Sequence, residues 1–387
     1  MKHLLLPALL FILFQSCSIP EKEVIPAAGR FDQYENLIKD KTIGLVGNHT
    51  SLVGSTHLVD TLLSRGANIV KIFAPEHGFW GRGNAGSQIL DEKHPIHELE
   101  IISLYGENRK PSEEDIEGLE IMIFDVQDVG TRFYTYISTL QYVMEACALK
   151  GIELIVLDRP NPNGFYVDGP VLDTAFKSFV GLTPIPVVHG MTVGEYALML
   201  NGEGWLSGSG HCELHIICCE NYTHDTYYKL PVRPSPNLPD MNSIYLYPST
   251  CLFEGTVLSC GRGTDTPFQL FGHPDMPGSD FSFTPRPNEG ASDPKLNGIK
   301  CYGVDLREAT KDGIVPVPHM QLNWIIDAYN AFPDKENFFT SYITLLAGSE
   351  TLEEQIRAGL SEDEIRATWQ ADLAEFMKIR EKYLLYD

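Results

Sequence analysis

The stretch NIVKIFAPEHG, residues 68–78, decides the fold class of this chain. Its first part, residues 68–74, is a short apolar run rich in β-branched side chains, which is typical of a strand buried on both faces of a sheet. Similar runs occur at residues 42–47, 100–105, 120–126, 153–158 and 185–189. Helical or loop segments separate these runs, and such alternation predicts an α/β domain with a largely parallel sheet.

Capping patterns predict the helices between the strands. Residues 55–66 suit a helix with Ser55 as its N-cap and Gly66 as its stop. Residues 131–150 carry apolar side chains at a helical period and end at a glycine. Thr192 and Glu195 form a capping box, which predicts a third helix from this point.

The pattern changes after about residue 231. Residues 231–249 are rich in proline and are predicted to be extended, while capping boxes at Thr351–Glu354 and Ser361–Glu364 predict two late helices. We therefore predict an α/β domain over residues 31–237 and a smaller α+β domain over residues 238–387, which closes a cleft with the first.

The N-terminus predicts export. Apolar residues 4–14 follow a positively charged start, and the run is too short to span a membrane but suits a signal peptide. Its end, FQSC, resembles a bacterial lipoprotein signal. The predicted signal segment, residues 1–17, ends at Cys17, which would become the lipidated first residue of the mature chain. Phe14 stands where leucine is usual, and an ordinary secretory signal is the alternative. With residues 18–30 as a tether, we expect a protein that is lipid-anchored and faces the periplasm or the cell surface.

Composition excludes some partners. The chain has 387 residues, of which 43% are hydrophobic, and a formal net charge of −23 without a Lys/Arg cluster. This balance argues against nucleic acid as a partner, and it limits the expected membrane contact to the lipid anchor. The oligomeric state is left open.

The cysteines after the signal follow no regular spacing, so no disulfide framework is predicted. We expect most of them to be small buried apolar residues; they are Cys147, Cys212, Cys218, Cys219, Cys251, Cys260 and Cys301. The segment HCELHIICC, residues 211–219, contains residue types that bind metals, but its alternation divides them between two faces. A strand is the favoured interpretation, and no metal site is predicted.

Polar side chains follow each predicted strand, at the edge of the sheet where ligands of open α/β proteins bind. They include Asn48, His49, Glu76, His77, Tyr105, Asp125, Gln127, Asp128, Asp158, Arg159, Asn161 and His189. A single such residue is often a turn or cap residue. Their occurrence after every strand favours a built site.

Several chemistries are open to these residues. Carboxyl groups crowded at one edge, drawn from Glu76, Asp125, Asp128 and Asp158, could serve glycoside hydrolysis as proton donor and ionised partner, or could bind a hard metal ion. The histidines could orient substrate or coordinate metal, although no HExxH spacing is present. Arginines at positions 82, 132 and 262 could clamp an anion or pair with structural carboxylates. Tyr134 could stack on a sugar or belong to the core.

The glycines at positions 81, 83 and 86 have GxGxxG spacing, which can cradle a dinucleotide. That motif requires the glycines directly between a strand and a helix. Here a loop beginning at Pro75 precedes them, and the segment after them contains Pro95 and lacks a clean apolar period. We predict no dinucleotide and no other cofactor.

Taken together, the motifs at this edge resemble those of the exo-β-N-acetylmuramidase family of peptidoglycan-recycling glycosidases. The motifs that carry the resemblance are GLVGNHTS (44–51), FAPEHGFWG (73–81), FDVQDVGTRFYTYISTL (124–140), VLDRPNPNG (156–164), PIPVVHGMTVGEYA (184–197) and YPSTCLFEGTVLSCGRGTDTPFQLFG (247–272). The resemblance is dense over residues 40–275 and looser beyond.

This resemblance implies a Rossmann-like first domain without a nucleotide and an active site in the cleft between two domains. It implies release of β-1,4-linked N-acetylmuramic acid from the non-reducing end of peptidoglycan fragments, with Glu76 as the favoured catalytic residue. Other motif positions match His77, Asp125, Arg132, Asp158, Glu254 and Arg262.

Together these observations leave the second catalytic carboxyl open among Glu254, Asp125 and Asp128. If residues 252–269 form a hairpin that faces the cleft, Glu254 could be the second carboxyl and Arg262 could bind the lactyl carboxylate; the alternative is that Glu254 caps or pairs locally. Carboxyl groups about 5 Å apart would give retention and about 6.5–9.5 Å inversion. The predicted substrate-binding residues are Asn48, His49, His77, Arg82, Arg132, Tyr134, Asp158, Arg159, Asn161, His189, Arg262 and Thr264. Two rival hypotheses are a non-catalytic lipoprotein that binds muropeptides and a metal-dependent hydrolase.

Overall fold

The computed structural model describes residues 22–84, 86–87, 90–208, 210–309 and 318–387. The predicted signal and Cys17 lie outside the described residues. Within the described part, no helix combines the length and the apolar character needed to span a membrane.

Strands and helices are numbered in chain order. The strands are β1 (Thr42–Gly47), β2 (Leu52–Val53), β3 (Thr56–His57), β4 (Asn68–Ala74), β5 (Glu92–Lys93), β6 (Glu100–Ser103), β7 (Ile121–Asp125), β8 (Glu153–Leu157), β9 (Asp168–Val171), β10 (Pro186–Val188), β11 (Leu214–Ile217), β12 (Leu270–His273), β13 (Ser282–Phe283) and β14 (Cys301–Asp305). The helices are α1 (Glu35–Ile38), α2 (Leu58–Ser64), α3 (Tyr136–Lys150), α4 (Val193–Gly202), α5 (Met241–Thr250), α6 (Asn323–Ala331), α7 (Tyr342–Ala347), α8 (Thr351–Arg357) and α9 (Glu362–Arg380).

The main sheet has the order β11-β8-β7-β1-β4-β6-β5. All its neighbours pair in parallel except β5, which lies antiparallel to β6 at the edge. From the central β1 the chain winds outward through β4 and β6, then returns to β7 and winds outward on the other side. This is the doubly wound, Rossmann-like arrangement, and it confirms the predicted fold class.

The main sheet is covered on both faces, as the continuous apolar runs predict. In β7, Ile121 and Ile123 belong to the apolar cluster that contains Leu62 of α2. The intervening Met122 and Phe124 point the other way, into the cluster with α3 and α4. Each strand therefore supplies two cores, which fixes its register and holds its carboxyl end in place.

The C-terminal region is a smaller α+β unit, as predicted. It contains the antiparallel sheet β12-β14-β13 and the helices from α5 onward. Ile244 of α5 and Trp369 of α9 lie in the same apolar cluster as Leu140 of α3. The two regions thus share one apolar core, which holds the two walls of the cleft together.

The run at residues 185–189 does not enter the main sheet, contrary to the prediction. Its strand, β10, pairs antiparallel with β9 in a separate two-stranded sheet. Pro186 has no N–H to donate, which disfavours a central position in a ladder. The outermost parallel strand is β11 instead, and it confirms the strand predicted within residues 211–219.

The proline-rich segment is not extended throughout, because residues 241–250 form α5. The Asp240 side chain accepts a hydrogen bond from the Ser243 N–H at 2.8 Å and so caps this helix. Pro248 lies inside the helix and leaves the Ile244 carbonyl without its usual donor. The Asn163 amide donates to that carbonyl at 3.4 Å, which compensates for the proline.

Two predicted N-caps are wrong. Helix α2 begins at Leu58, and its cap is His57, whose Nδ1 accepts from the Val59 N–H at 3.2 Å; Ser55 lies in the preceding turn. Helix α8 has Glu350 at its N-cap and no side-chain cap bond, so Thr351 forms no box. The boxes at Thr192 and Ser361 are confirmed by α4 and α9.

Candidate active site

A cleft of about 670 Å³ lies at the carboxyl ends of β4 and β6, between the main sheet and the C-terminal region. The sheet side supplies Glu76 and Tyr105, and the segment entering α3 supplies Phe133 and Thr135. The opposite wall comes from the C-terminal region, with Glu254 among its residues. The position agrees with the general location of ligand sites in open α/β sheets.

Glu76 lies two residues beyond the end of β4 and is half-buried in this cleft. Its Oε2 accepts a hydrogen bond from the Thr135 hydroxyl at 2.6 Å, and its Oε1 accepts from the Gly86 N–H at 3.3 Å. The Tyr105 side chain also hydrogen bonds to Glu76. Burial and the charge of Glu76 raise the pKa of Tyr105, so its hydroxyl keeps its proton near neutral pH.

The backbone around Glu76 is held in an unusual conformation. His77 has a φ of 70°, in the left-handed region that non-glycine residues seldom adopt. Its ring Nδ1 contacts the Gly83 carbonyl at 2.7 Å, and burial lowers its pKa. The neutral His77 therefore donates to the loop and fixes the turn that aims Glu76, without lining the cleft itself.

The structure explains why position 81, the first of the GxGxxG spacing, is a glycine. Its φ is 65°, and a Cβ at this position would lie 1.9 Å from Nδ1 of His49. His49 in turn donates from Nε2 to the Arg233 carbonyl at 2.8 Å, and burial lowers its pKa. The glycine thus permits a close approach between the loop and the partly buried imidazole of His49, which serves the architecture of the loop.

Glu254 lies on a short 3-10 helix, Cys251–Gly255, and forms a two-point ion pair with Arg262. The distances are 2.6 Å from Arg262 Nε to Oε1 and 3.2 Å from Nη2 to Oε2. Burial is the largest single effect on the pKa of Arg262 and lowers it, but the Glu254 charge, the Cys260 charge and the hydrogen bonds to Glu254 together outweigh burial and raise the pKa. The predicted hairpin is wrong: the segment is a helical turn followed by a loop, which folds Arg262 back onto Glu254.

Both glutamates face the same space. Tyr342, on α7, lines the cleft, and burial raises its pKa most strongly. The charges of Glu254 and Glu76 both add to this rise. Tyr342 therefore lines the same cleft as both carboxylates and is within range of the charge of each.

Asp125 does not line the cleft and is fully buried. It forms a two-point ion pair with Arg159, with Nε–Oδ1 at 2.5 Å and Nη2–Oδ2 at 2.9 Å. Arg159 also donates to the Leu52 carbonyl at 3.1 Å. The pair joins the end of β7 to the segment after β8, so the structure does not place Asp125, predicted to be catalytic, or Arg159, predicted to bind substrate, in the cleft lining.

Asp158 is a second buried carboxyl with structural partners. Its Oδ1 accepts from the Gly194 N–H at 2.9 Å, and its Oδ2 accepts from the Tyr386 hydroxyl at 2.7 Å. Asn161 likewise donates to the Met191 carbonyl at 2.9 Å. Both were predicted to bind substrate, but their polar atoms are used to join loops.

Arg132 is almost fully buried and has no carboxylate partner among the described residues. Its Nη1 donates to the carbonyls of Pro170 and Ile185, and its Nη2 donates to those of Leu346 and Ala347, each at 2.8 Å. Burial lowers its pKa to about 9. Arg132, predicted to contact substrate, does not line the cleft: it caps the carboxyl end of α7 and ties that helix to the first region.

Asp128 and His189 form a buried pair away from the cleft. Their closest atoms, Oδ2 and Nε2, are 4.0 Å apart, and Asp128 also accepts from the Gly130 N–H at 2.6 Å. Burial raises the pKa of Asp128 to about 7 and lowers that of His189 to about 3. Neither Asp128, predicted to be catalytic, nor His189, predicted to bind substrate, lines the cleft.

The remaining predicted residues also lie outside the cleft lining. Asn48 donates to the Tyr136 hydroxyl at 3.0 Å, and Tyr134 donates to the Pro234 carbonyl at 3.0 Å. Thr264 donates to the Gly261 carbonyl at 2.7 Å within its own turn. Arg82 is exposed to solvent on the loop beyond Gly81. Of the predicted site residues, the cleft gathers Glu76, Glu254 and Arg262.

Several cleft residues were not singled out from the sequence. Thr135 directly precedes α3, and its place in the loop between β7 and that helix could have suggested a position near Glu76. Arg109, Lys295 and Tyr342 lie in loops or helices without a motif around them. Only the fold brings them to the cleft.

Among the described residues, no group of three or more histidine, cysteine, aspartate or glutamate side chains is placed to hold a metal ion. The described cysteines are all unpaired, and most are buried. Burial raises the pKa of Cys251, which lines the cleft, well above its usual value.

Comparison with known proteins agrees with this arrangement. Two family models match the chain: exo-β-N-acetylmuramidase NamZ, N-terminal, over residues 43–242, and exo-β-N-acetylmuramidase NamZ, C-terminal, over residues 245–386. The peptidoglycan β-N-acetylmuramidase NamZ of Bacillus subtilis (strain 168) is 37% identical over 384 residues, which cover 91% of this chain and 89% of that protein.

Two crystal structures of DUF1343 family proteins from Bacteroides fragilis NCTC 9343 share the fold. One is 46% identical with a TM-score of 0.86, and the match covers 95% of this chain and 99% of that one. The other is 26% identical with a TM-score of 0.79, covering 94% and 99%. These matches confirm the resemblance found in the motifs: the chain belongs to the exo-β-N-acetylmuramidase NamZ family.

Proposed function

We propose that this protein is an exo-acting glycoside hydrolase that releases N-acetylmuramic acid from the non-reducing end of peptidoglycan fragments. The observation that carries the proposal is the pair of glutamates in one cleft, Glu76 and Glu254, whose hydrogen-bond partners differ in kind. Hydrolysis of a glycoside needs one carboxyl that carries a proton and one that stays ionised.

The partners assign the two roles. Arg262 can only donate hydrogen bonds, so Glu254 accepts at both contacts and acts as the ionised group. Glu76 has one partner that can only donate, the Gly86 N–H at 3.3 Å from Oε1, but its two side-chain partners are the hydroxyl groups of Thr135 and Tyr105, which can donate or accept. Glu76 can therefore hold a proton or release it without losing these partners.

In the reaction, Glu76 transfers its proton to the glycosidic oxygen as the bond from that oxygen to the anomeric carbon breaks. The Glu254 carboxylate stabilises the positive charge that develops on the sugar ring. Glu76, now ionised, takes a proton from water as the hydroxyl adds to the anomeric carbon. Phe133, Tyr247 and Tyr342 line the cleft and offer apolar surface to the sugar.

An aryl β-N-acetylmuramide tests the proposal, because hydrolysis releases a chromophore. We expect turnover by the wild-type protein and the same rate after treatment with EDTA. A higher melting temperature with muramyl ligands but no turnover would instead support a binding protein, and loss of activity with EDTA would support a metal-dependent hydrolase. Proton NMR of the first anomer released assigns retention or inversion.

We also propose that the protein is exported and anchored by lipid at Cys17, on the periplasmic or outer face of a membrane. The support is the sequence alone, namely the short apolar run that ends in FQSC. Detergent partitioning and mass spectrometry of the mature N-terminus test this. A Cys17→Ala variant should leave the membrane fraction, and equal membrane retention of both forms would contradict the anchor.

A further inference from the structure

The cleft is lined by acidic side chains at Glu76, Glu254 and Asp293, in a protein of formal net charge −23. N-acetylmuramic acid carries a carboxylate on the lactyl ether at its third carbon. A ligand of that charge needs a cation in the cleft that is not already neutralised, since like charges close together cost binding free energy.

Two of the cations that line the cleft are already engaged. Arg262 is paired at two points with Glu254. Lys295 donates to the backbone carbonyls of Thr256 and Glu254, and burial lowers its pKa. Using either for the substrate would require it to give up these partners.

Arg109 is placed differently. Its guanidinium carbon lies 4.5 Å from the ring centroid of Phe179, which itself stacks on Tyr142 at 6.0 Å. Within the described part of the chain, no carboxylate lies within ion-pair distance of Arg109. The aromatic ring holds the guanidinium plane at the cleft, yet leaves its N–H edge available to a ligand.

Arg109 and Glu76 line the same cleft, and both act on the side chain of Tyr105. Tyr105 hydrogen bonds to Glu76, and the charge of Arg109 lowers the pKa of the same phenol against the effect of burial. One tyrosine side chain therefore links the proposed proton donor to this arginine. A sugar with its glycosidic oxygen at Glu76 therefore lies in a cleft that Arg109 also lines.

We propose that Arg109 binds the lactyl carboxylate of the N-acetylmuramic acid unit at the reaction site and so selects muramic over glucosamine glycosides. The inference rests on the proposed function, and it assigns to Arg109 the contact that the sequence led us to expect of Arg262. Two parallel N–H···O bonds from a guanidinium to a carboxylate give both strength and direction.

Three matched aryl β-glycosides test this assignment: the N-acetylmuramide, its lactamide, which keeps the shape but has no charge, and the N-acetylglucosaminide. In Arg109→Gln, we expect kcat/KM on the muramide to fall on the order of 10- to 100-fold, mainly through KM. The lactamide and the glucosaminide should lose less than about 3-fold, because they have no carboxylate to pair. Arg109→Lys should recover only part of the loss, since an ammonium lacks the two-point geometry.

Arg65 offers a matched control, because it is an exposed arginine that lies 4.3 Å over the ring of Phe31. It precedes the amino end of β4, whereas the cleft lies at the carboxyl end of that strand. Arg65→Gln should leave kcat/KM unchanged on all three glycosides. An equal loss on the carboxylate and the lactamide, or no loss on either, would overturn the role of Arg109. Absence of turnover by the wild-type protein would instead overturn the proposed function, so the two failures are distinct.

Discussion

The hydroxyl of Thr135 donates a 2.6 Å hydrogen bond to Oε2 of Glu76. Thr135 occupies the N-cap of α3, yet it makes no capping bond to the backbone of that helix. Threonine at this position ordinarily satisfies a free N–H of the first turn. Here the hydroxyl is used for the glutamate, and the carboxylate lies near the positive end of a helix.

Because Thr135 gives its hydroxyl to Glu76, Thr135→Val should affect rate more than stability. We expect kcat/KM on the aryl muramide to fall on the order of 3- to 10-fold through loss of one hydrogen bond. The melting temperature should change little, since no cap bond is lost. Thr135→Ser keeps the hydroxyl and should retain most activity; equal losses in both variants would contradict a role for this bond.

Glu76→Gln removes the proposed proton donor and keeps the size of the side chain. We expect kcat to fall on the order of 10²- to 10⁴-fold, the usual share of general acid catalysis, with KM nearly unchanged. Circular dichroism and thermal unfolding should match the wild type because Glu76 is half-buried at a cleft. Full activity of this variant would remove Glu76 from the mechanism.

A double-variant experiment at Glu254 and Arg262 should separate the effect on activity from the effect on stability. Glu254→Gln leaves the Arg262 charge without its partner, so we expect kcat to fall on the order of 10²- to 10³-fold and the free energy of unfolding by about 1–3 kcal/mol. Adding Arg262→Met removes the unpaired charge and should restore part of the stability but none of the activity. Recovered activity in the double variant would show that Glu254 acts only as a structural partner.

The buried pair Asp128 and His189 predicts opposite pH dependences. Burial raises the pKa of Asp128 to about 7, so between about pH 4 and 7 the folded state binds the extra proton and the free energy of unfolding falls as pH rises. Burial lowers the pKa of His189 to about 3, so between about pH 3 and 6.5 the unfolded state binds the extra proton and the free energy of unfolding rises with pH. From about pH 4 to 6.5 the two effects oppose each other.

Substituting either residue should therefore reveal the pH dependence that the other contributes to the free energy of unfolding. Relative to the wild type, the free energy of unfolding of Asp128→Asn should rise with pH by up to about 1.4 kcal/mol per pH unit. That of His189→Gln should fall relative to the wild type as the pH rises. Urea unfolding at about pH 4.5, 5.5 and 6.5 measures the differences. Curves for both variants that run parallel to the wild type would show that neither group titrates abnormally.

Gly81→Ala tests the close approach to His49. The added Cβ would lie 1.9 Å from Nδ1 of His49, at a φ of 65°, so we expect a loss of about 2–4 kcal/mol in the free energy of unfolding. Gly66 has a similar φ of 82°, but an added Cβ would meet nothing within 4 Å, so Gly66→Ala should cost only about 1 kcal/mol. Equal losses at the two positions would show that backbone conformation alone sets the cost.

The parallel sheet could be predicted because its strands are continuous apolar runs, buried on both faces. Residues 68–74 and 42–47 show this directly, since the predicted and observed strands coincide. Glu76 could be found for the same reason, because it follows a strand whose end is fixed. The helix at Met241–Thr250 could not, since Pro248 argues against a helix unless a distant amide, that of Asn163, satisfies the freed carbonyl.

Most of the other polar residues at the strand ends could not be assigned from the sequence. Asp125 and Arg159 look like site residues until their ion pair is seen, and that pair joins the ends of different strands. Arg109 and Tyr342 reach the cleft only through folding of separate segments. A sequence shows where a side chain follows a strand, but its partner depends on contacts between distant parts of the chain.

The four carbonyls around Arg132 limit how the cleft can move. One guanidinium nitrogen binds the first region and the other binds the end of α7, so a hinge between them would leave a buried cation without acceptors. The cost of leaving that charge without hydrogen-bond acceptors opposes such a hinge motion. A slot whose walls are joined in this way before binding loses less conformational entropy when a glycan end enters it.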